Sequence, residues 1–209
     1  MPDSRPRPDL VLFDLGGVLI DWDPRRLYRK LIDDEAAMEA FLATVCTPAW
    51  NLELDRGRPF AEAVGELVAA HPEKRPLIEA YQQRWLEMVG GPIEGTVALL
   101  EALAARETPL RALTNWSAET FALVHPDPAY AFLGRFAHIY VSGELRMIKP
   151  NDDIFEHVLE DTGLAAASVL FIDDSAANIR TADRLGFVTH RFAGAAGLER
   201  HLRDLQLLG

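Results

Sequence analysis

The sequence predicts an α/β fold, a doubly wound, Rossmann-like parallel sheet with an α-helical cap inserted after the first strand. Short apolar runs without polar alternation recur along the chain, and such runs are typical of strands buried on both faces. Patterns with helical spacing separate most of these runs, as they do in parallel sheets. One long stretch after the first run holds helical patterns alone, which indicates an insert.

The first predicted strand covers residues 10–13 and is closed by Asp14 and the pair Gly16-Gly17. Four later apolar runs have the same character, and we expect them to join the same sheet: residues 110–113, 139–141, 169–172 and 187–188. Helical patterns lie before the first of these later runs, between them and after the last: residues 97–105, 118–124, 154–160, 176–185 and 198–208.

The predicted insert runs from about residue 24 to residue 89. Its helical patterns cover residues 25–32, 35–44, 60–70 and 77–88, and prolines punctuate it as they do at helix starts and breaks. It shows no strand pattern, and residues 90–92 are interpreted as a hinge back to the sheet. The prediction is therefore a core domain of residues 9–20 plus 91–209 and a helical cap domain of residues 21–90.

The composition limits the classes of partner. The 209 residues carry a net charge of −11. Proteins that bind nucleic acids usually carry excess positive charge, because they must neutralise phosphates. No apolar run approaches the ~18 residues of a membrane span, and residues 1–8 lack the apolar core of a signal peptide. A single cysteine, Cys46, forms no internal disulfide and suits a reducing compartment. We expect a soluble cytoplasmic protein without nucleic-acid or membrane partners, and leave its oligomeric state open.

Polar residues follow the predicted strands where open α/β sheets bind ligands, at the carboxyl ends. Asp14 follows the first strand, Thr114-Asn115 the second and Asp173-Asp174 the fourth, while Lys149 precedes the helix that begins near residue 152. A single aspartate in such a place is often only a turn former or a helix cap. The joint occurrence of these groups predicts a site.

The charges of these residues predict a metal. Three carboxylates at one sheet edge repel each other unless cations lie among them, and Lys149 supplies only one positive charge. Oxygen ligands suit Mg²⁺. Gly16 and Gly17 permit a sharp turn that brings backbone groups to a ligand. Asp14 is then a candidate nucleophile activated by its electrostatic surroundings.

Four segments, residues 13–18, 113–115, 149–150 and 171–174, resemble in order and spacing the four signature motifs of the haloacid dehalogenase-like (HAD) hydrolase superfamily. The doubled aspartate is similar to the third variant of subfamily IA, which includes bacterial sugar-phosphate phosphatases. The helical insert resembles the cap domain of that superfamily.

The resemblance implies a Mg²⁺-dependent phosphatase that hydrolyses a small phosphorylated metabolite through an aspartyl-phosphate. Asp14 would be the nucleophile, and Lys149 would neutralise charge on it and on the phosphoryl oxygens. The phosphoryl group would be bound by Thr114, Asn115 and Gly17. The metal ligands would be Asp14, the Gly16 carbonyl, Asp174 and, through water, Asp173. Asn178 is interpreted either as a support of the metal site or as a solvated helix residue.

Gly16 departs from the pattern of the superfamily. Most of its phosphatases carry at this position an aspartate that protonates the leaving oxygen, a function typically worth ~10²–10⁴-fold in rate. We therefore expect a preference for acidic leaving groups, as in acyl, aryl or anomeric sugar phosphates. Asp21 and Asp23 are interpreted either as substitute donors or as caps of the helix that Pro24 opens.

Two other functions stay open at this stage. A 2-haloacid dehalogenase would use Asp14 to attack carbon without a metal, although Asp173-Asp174 would then only repel its anionic substrate. A non-catalytic binding protein is supported by Gly16 alone.

Substrate choice is expected to come from the insert. The candidates that face the substrate are Trp50, Asn51, Arg56 and Arg58, with cap-core or surface positions as the alternative. Trp116 either walls the site or packs in the core.

Overall fold

The computed structural model describes residues 7–209 and contains seven strands. In chain order they are β1 (Leu10–Phe13), β2 (Ile20–Trp22), β3 (Val89–Pro92), β4 (Leu110–Thr114), β5 (His138–Val141), β6 (Val169–Asp173) and β7 (Val188–Arg191). Five of them form one parallel sheet in the order β5-β4-β1-β6-β7, and β2 pairs with β3 in a separate antiparallel pair. The predicted parallel α/β sheet is confirmed.

Helices cover both faces of the sheet and form the insert. Those of the insert are α1 (Arg25–Tyr28), α2 (Glu35–Thr44), α3 (Pro48–Asp55), α4 (Phe60–Ala70) and α5 (Arg75–Gln83). Those packed on the sheet or beside its edge are α6 (Glu94–Ala104), α7 (Ala118–Val124), α8 (Ser142–Leu145), α9 (Asp152–Thr162), α10 (Ala176–Leu185) and α11 (Ala195–Asp204). Short 3₁₀ segments occupy Pro72–Lys74, Trp85–Met88, Pro128–Arg135 and Ala166–Ser168.

The central strand β1 shows why an unbroken apolar run is needed here. Leu10 and Leu12 pack into the cluster formed by α9 and α10, whereas Val11 and Phe13 pack into the cluster that includes α6 and α11. Successive side chains of a strand point to opposite faces, and both faces of this sheet are covered. All four residues are therefore buried.

The strand order places the carboxyl ends of β4, β1 and β6 beside one another. The chain moves from β1 to β4 and β5 on one side, then crosses to β6 and β7 on the other. Phe13 is level with Ala112 on β4 and with Ile172 on β6. Asp14, Leu113 and Asp173 thus lie at nearly the same height at the carboxyl edge, where the strand order reverses and where ligands of such sheets bind.

The helical insert, residues 24–88, contains helices α1 to α5 and lies between β2 and β3. Its interior is aromatic: the ring centroid of Tyr28 lies 4.9 Å from that of Phe41 and 6.3 Å from that of Tyr81. These buried rings belong to the same apolar cluster as Val11 and Phe13 of the sheet. The insert is therefore packed against the sheet domain along a continuous apolar contact.

Several boundaries differ from the sequence prediction. The pair β2–β3 is absent from that prediction, which treats residues 90–92 as a hinge; strands this short, one of them carrying two glycines, have little strand signal of their own. The predicted helix at 25–32 ends at Tyr28 and continues as turns, and that at 77–88 divides into α5 and a 3₁₀ segment. The last strand and helix each lie slightly away from their predicted ranges.

Within residues 7–209, no helix has both the length and the apolar character that a membrane crossing requires. Residues 1–6, part of the stretch in which no signal peptide is expected, lie outside the described residues.

Candidate active site

A buried lysine links the ends of three strands. The ammonium of Lys149 donates to Asp14 Oδ1 at 3.0 Å, to Asp173 Oδ2 at 2.7 Å and to the carbonyl of Leu113 at 2.8 Å. Its side chain has no exposed surface. An ammonium has three N–H donors, and here each meets an oxygen, which is the condition for a buried charge to be tolerated. Lys149 therefore fixes Asp14 relative to β4 and β6.

Asp173 is held from both sides by the protein. Besides Lys149, the side-chain amide of Asn178 donates to both of its oxygens, at 3.0 and 2.9 Å, and the backbone N–H of Ser175 donates to Oδ1 at 2.8 Å. Asn178 is buried, so its interpretation as a solvated helix residue is wrong. Since both oxygens of Asp173 already accept several hydrogen bonds, this carboxylate orients its neighbours more than it offers a free ligand atom.

Asp14, Asp173 and Asp174 bring their carboxylates together as predicted. One oxygen of each lies within 4.8 Å of the others. Burial raises the pKa of Asp14; Lys149 opposes the rise, and Asp173 and Asp174 add to it. The pKa of Asp174 is raised by burial and by Asp173. The lysine alone does not balance these charges.

This donor set fits the expected metal. Asp14 uses Oδ1 for Lys149 and for the backbone N–H of Leu15 at 2.7 Å, and within the described chain its Oδ2 accepts no hydrogen bond. Asp174 is exposed, in contrast to its two partners. A cluster of oxygens with excess negative charge, one of them open to solvent, is what a hard divalent cation such as Mg²⁺ requires.

The turn after β1 explains the glycine pair. Gly17 has a φ of +72°, and a Cβ atom there would lie 2.6 Å from Asp174 Oδ2. A side chain at this position would displace the carboxylate, so glycine is required. At Gly16, by contrast, an added Cβ would meet no atom within 4 Å. The site thus has room for a side chain at the position where most phosphatases of the superfamily that the sequence resembles carry an acid.

Thr114 and Asn115 lie at the end of β4, beside Lys149. Thr114 is buried. The side chain of Asn115 accepts from the backbone N–H of Lys149 at 3.0 Å and donates to its carbonyl at 2.9 Å, next to the cis peptide bond between Lys149 and Pro150. Asn115 therefore positions the lysine, and the second N–H of its amide has no hydrogen-bond partner among residues 7–209.

A small cavity of about 100 Å³ lies where the helical insert faces this sheet edge. We call it the inner cavity; it is lined by Trp22, Asn51, Asp55, Trp85, Asn115 and Trp116. A larger cavity of about 480 Å³ within the insert shares Trp22 and Asn51 with it, and its other walls include Leu42, Cys46 and Tyr81. The indole N–H of Trp22 is buried without a hydrogen-bond partner among residues 7–209. A donor left unpaired in this way is uncommon and is available to a ligand.

Asp55 is a site residue that the sequence does not predict. It ends α3, and its carboxylate accepts from the amide of Asn51 at 2.8 Å and from the backbone N–H of Ser117. Burial raises its pKa to about 7, although these hydrogen bonds oppose the rise. Only its position before Gly57, at the break that precedes α4, distinguishes it in the sequence. Nothing local indicates that the fold brings it to Asn115.

The predicted specificity residues divide into three kinds. Trp50 packs edge-on against Tyr81 at 5.0 Å between ring centroids. Arg56 pairs with Glu53, and Arg58 with Glu62 and Glu66, so both arginines belong to the surface, away from the inner cavity. Of the four, only Asn51 lines that cavity. Trp116 combines the two alternatives given for it: it packs in the core beside Trp85, and it also lines the inner cavity.

The two aspartates near Trp22 are engaged outside the site. Asp21 forms an ion pair with Arg26. Asp23 accepts from the backbone N–H of Arg25 at 3.0 Å and thus supports the start of α1, as in its capping interpretation.

Comparisons with known proteins point to one family of hydrolases. A model of the haloacid dehalogenase-like hydrolase family matches residues 8–186. A sesquiterpene phosphatase of Aspergillus oryzae, astK, is 22% identical and covers 93% of this chain and 95% of its own. The D-ribitol-5-phosphate phosphatase of Bacteroides thetaiotaomicron is also 22% identical, with 92% and 95% covered.

Solved structures extend the likeness. A HAD family enzyme of Bacteroides thetaiotaomicron in complex with magnesium and inorganic phosphate has a TM-score of 0.64 at 26% identity, covering 87% of this chain and 92% of its own. The L-2-haloacid dehalogenase of Xanthobacter autotrophicus has a TM-score of 0.61 at 19% identity, covering 94% and 83%. The second likeness concerns the fold alone.

Proposed function

Since this chain belongs to the haloacid dehalogenase-like hydrolases, we propose that it is a Mg²⁺-dependent phosphatase that hydrolyses a small phosphomonoester through a phosphorylated Asp14. Two relatives named as phosphatases, and a similar structure that holds magnesium and phosphate, support this choice of reaction. A sugar phosphate is one candidate substrate.

The observation that carries the proposal is the grouping of Asp14, Asp173 and Asp174 around a single buried lysine. A metal-free enzyme acting on an anionic 2-haloacid would gain nothing from this excess of negative charge. An enzyme that binds a divalent cation together with a phosphate needs it. The cluster therefore favours phosphoryl transfer over dehalogenation.

Each residue has a role that follows from its position. Asp14 Oδ2, which is free of hydrogen bonds within the described chain, attacks phosphorus, while Oδ1 is held by Lys149 and by the Leu15 backbone. Lys149 stabilises the negative charge on the phosphoryl oxygens as well as the orientation of Asp14. Thr114, the remaining N–H of Asn115 and the backbone at Gly17 hold the phosphoryl group.

Asp14, the Gly16 carbonyl and Asp174 would hold Mg²⁺, with Asp173 oriented behind them by Asn178. The ion would supply charge neutralisation for the phosphoryl oxygens and for the carboxylates. Positioning and neutralisation account for most of the catalysis in reactions of this kind.

One assay tests the proposed reaction. Release of inorganic phosphate from a panel of sugar and aryl phosphates is measured beside release of chloride from 2-chloropropionate, each with Mg²⁺ and with EDTA. We expect phosphate release that requires Mg²⁺ and no chloride release above background. Chloride release that persists in EDTA would show dehalogenation, and inactivity on every phosphate with Mg²⁺ present would refute the phosphatase.

A further inference from the structure

The proposed reaction needs a proton that the sheet edge does not supply. When the P–O bond of a phosphomonoester breaks, the electron pair stays on the leaving oxygen, and a poor leaving group such as an alkoxide must be protonated as it departs. Lys149 is engaged by three oxygens, Asp173 by several donors, and residue 16 is a glycine. In the proposed function Asp14 attacks phosphorus and Asp174 holds the metal, which leaves no side chain of the strand-end cluster to give this proton.

The geometry of displacement says where a donor must lie. The attacking and leaving oxygens stand roughly in line with phosphorus between them. If Asp14 attacks from the end of β1, the leaving oxygen lies on the far side of the phosphorus, facing the helical insert. A donor is therefore to be sought on the insert side of the inner cavity rather than in contact with Asp14.

Asp55 is the carboxyl group among the residues that line this cavity, and Asn115 at the end of β4 lines it as well. Both of its supports are fixed in place. Asn51 is itself held by the Tyr81 hydroxyl, which donates to Asn51 Oδ1 at 2.7 Å, and Ser117 is a buried residue at the start of α7. The Ser142 hydroxyl also donates to the Asp55 carbonyl at 2.5 Å, which joins the end of α3 to α8.

A second contact fixes the end of α3 against the sheet domain. Gly57 has a φ of +98°, and a Cβ atom there would lie 2.7 Å from the carbonyl of Gly143 in α8. The backbone at Gly57, two residues after Asp55, therefore lies too close to α8 to leave room for a side chain. Asp55 is therefore held by contacts from the insert, at Asn51, and from the sheet side, at Ser117 and Ser142.

We propose that Asp55 is the acid and base that stands in for the residue absent at position 16. This inference rests on the proposed phosphatase function. In the first step Asp14 Oδ2 bonds to phosphorus, the bond from phosphorus to the leaving oxygen breaks, and the Asp55 carboxyl proton moves to that oxygen to give an alcohol. In the second step a water oxygen bonds to phosphorus, the Asp55 carboxylate takes one water proton, and the bond from phosphorus to Asp14 breaks, giving phosphate and restoring both carboxyl groups.

The surroundings of Asp55 suit both protonation states near neutral pH. Its pKa, raised to about 7 by burial, leaves a large fraction protonated for the first step. The titratable group that faces it from α5 is Tyr81, whose own pKa the Asp55 charge helps to raise. The ion pair of Glu53 with Arg56 lies on the solvent side of the same helix end. The walls otherwise contributed by Trp22, Trp85 and Trp116 carry no charge.

The test compares leaving groups in the full-length Asp55→Asn variant. Alkyl phosphates, whose alkoxide is a poor leaving group, are measured beside 4-nitrophenyl phosphate and acetyl phosphate, whose leaving groups need no proton. We expect kcat/KM for the alkyl phosphates to fall ~10²–10⁴-fold and that for the two activated phosphates to change less than about 10-fold. Glu53→Gln, a charge-neutralising change two residues earlier on the same helix, should leave both unchanged.

A pH profile of the wild-type enzyme supplies an independent reading that needs no variant. With alkyl phosphates kcat/KM should decline above about pH 7, as Asp55 loses its proton, while with acetyl phosphate it should not decline in that range. An Asp55→Asn variant that loses activity equally on every phosphate, together with identical pH profiles for the two substrate classes, would overturn the inference. A wild-type enzyme that releases no phosphate from any substrate would instead refute the proposed function itself.

Discussion

The sheet edge and the inner cavity of the candidate site differ in chemical character: the first is charged and the second is mostly aromatic. The sheet edge gathers charges: Asp14, Lys149, Asp173 and Asp174 lie within a few ångströms of one another. The inner cavity is instead lined by the indole rings of Trp22, Trp85 and Trp116, with the Asp55 carboxyl of the insert among them. Dense negative charge requires compensation by positive charge, here from Lys149 and, in the proposed function, from a divalent cation. An isolated carboxyl in an apolar wall is instead kept partly protonated by burial.

This comparison implies that damage to the two sides has different consequences. Loss of a charge at the sheet edge should abolish the chemistry or the fold, because each group there compensates another. Loss of the charge on the insert side should be tolerated structurally and should change which substrates react.

The largest effect is expected for Asp14→Asn. The amide keeps the shape of the side chain but has no nucleophilic carboxylate, so phosphate release should fall by ~10⁴-fold or more. The thermal midpoint is measured alongside to show that the fold persists. Phosphate release within about 10-fold of the wild-type rate would mean that another group attacks phosphorus.

Lys149→Met removes the buried cation and should destabilise the protein itself. Asp14 and Asp173 would remain buried without their counter-charge, which costs about 3–5 kcal/mol in comparable buried pairs. Urea unfolding at pH 7 measures this loss. The control is Lys30→Met, which breaks an exposed pair with Glu87 and should leave the urea midpoint essentially unchanged. Similar midpoints for the two variants would show that the sheet edge is not an interdependent charge cluster.

Asp55→Asn should alter the pH dependence of stability on the insert side. The folded-state pKa of about 7 lies above the ordinary value near 4, so the folded state holds this proton more tightly than the unfolded state does. The wild-type protein therefore loses stability as pH rises through this window, by at most roughly 4 kcal/mol from this group. Urea unfolding from pH 4 to pH 8 should show that the variant lacks this component. Parallel curves for the two proteins would contradict the assigned protonation.

Gly17→Ala is a smaller perturbation, which tests whether the position of Asp174 determines the Mg²⁺ requirement. Its new methyl group would press on Asp174 Oδ2 and adopt a strained backbone conformation. We expect the Mg²⁺ concentration for half-maximal activity to rise ~10–100-fold. Gly65→Ala in α4 is the control, because a methyl group there also meets nothing within 4 Å and the residue lies outside the proposed metal site. Equal Mg²⁺ requirements in the two variants would argue against Asp174 as a metal ligand.

The same contrast explains what the sequence could predict. Asp14, Lys149 and Asp173-Asp174 each follow a buried strand or precede a helix, and in a parallel sheet such ends must meet at one edge. The grouping of carboxylates followed from that rule alone. Asp55 follows no such rule. It lines the same cavity as Asn115 only because the end of α3 is bonded to the start of α7 and to α8, which are distant in the sequence. Arg56 and Arg58 looked better suited to a ligand, yet nearby glutamates hold them at the surface.

Short elements were equally hidden. The strands β2 and β3 owe their existence to each other, with Asp21 opposite Gly91, and neither sequence favours a strand alone. Helices α2, α4, α7 and α10 have the predicted bounds, and each buries one face on a large apolar surface.

The central claim is that the Asp14 carboxylate forms a covalent bond to phosphorus. It is tested most directly by stopping the Mg²⁺-loaded enzyme with acid during turnover of a saturating phosphate substrate and locating the phosphoryl group by peptide mass spectrometry. The account predicts a phosphorylated peptide whose modified residue is Asp14, absent when Asp14→Asn is treated in the same way. A phosphoryl group on any other side chain, or rapid turnover by Asp14→Asn, would contradict it.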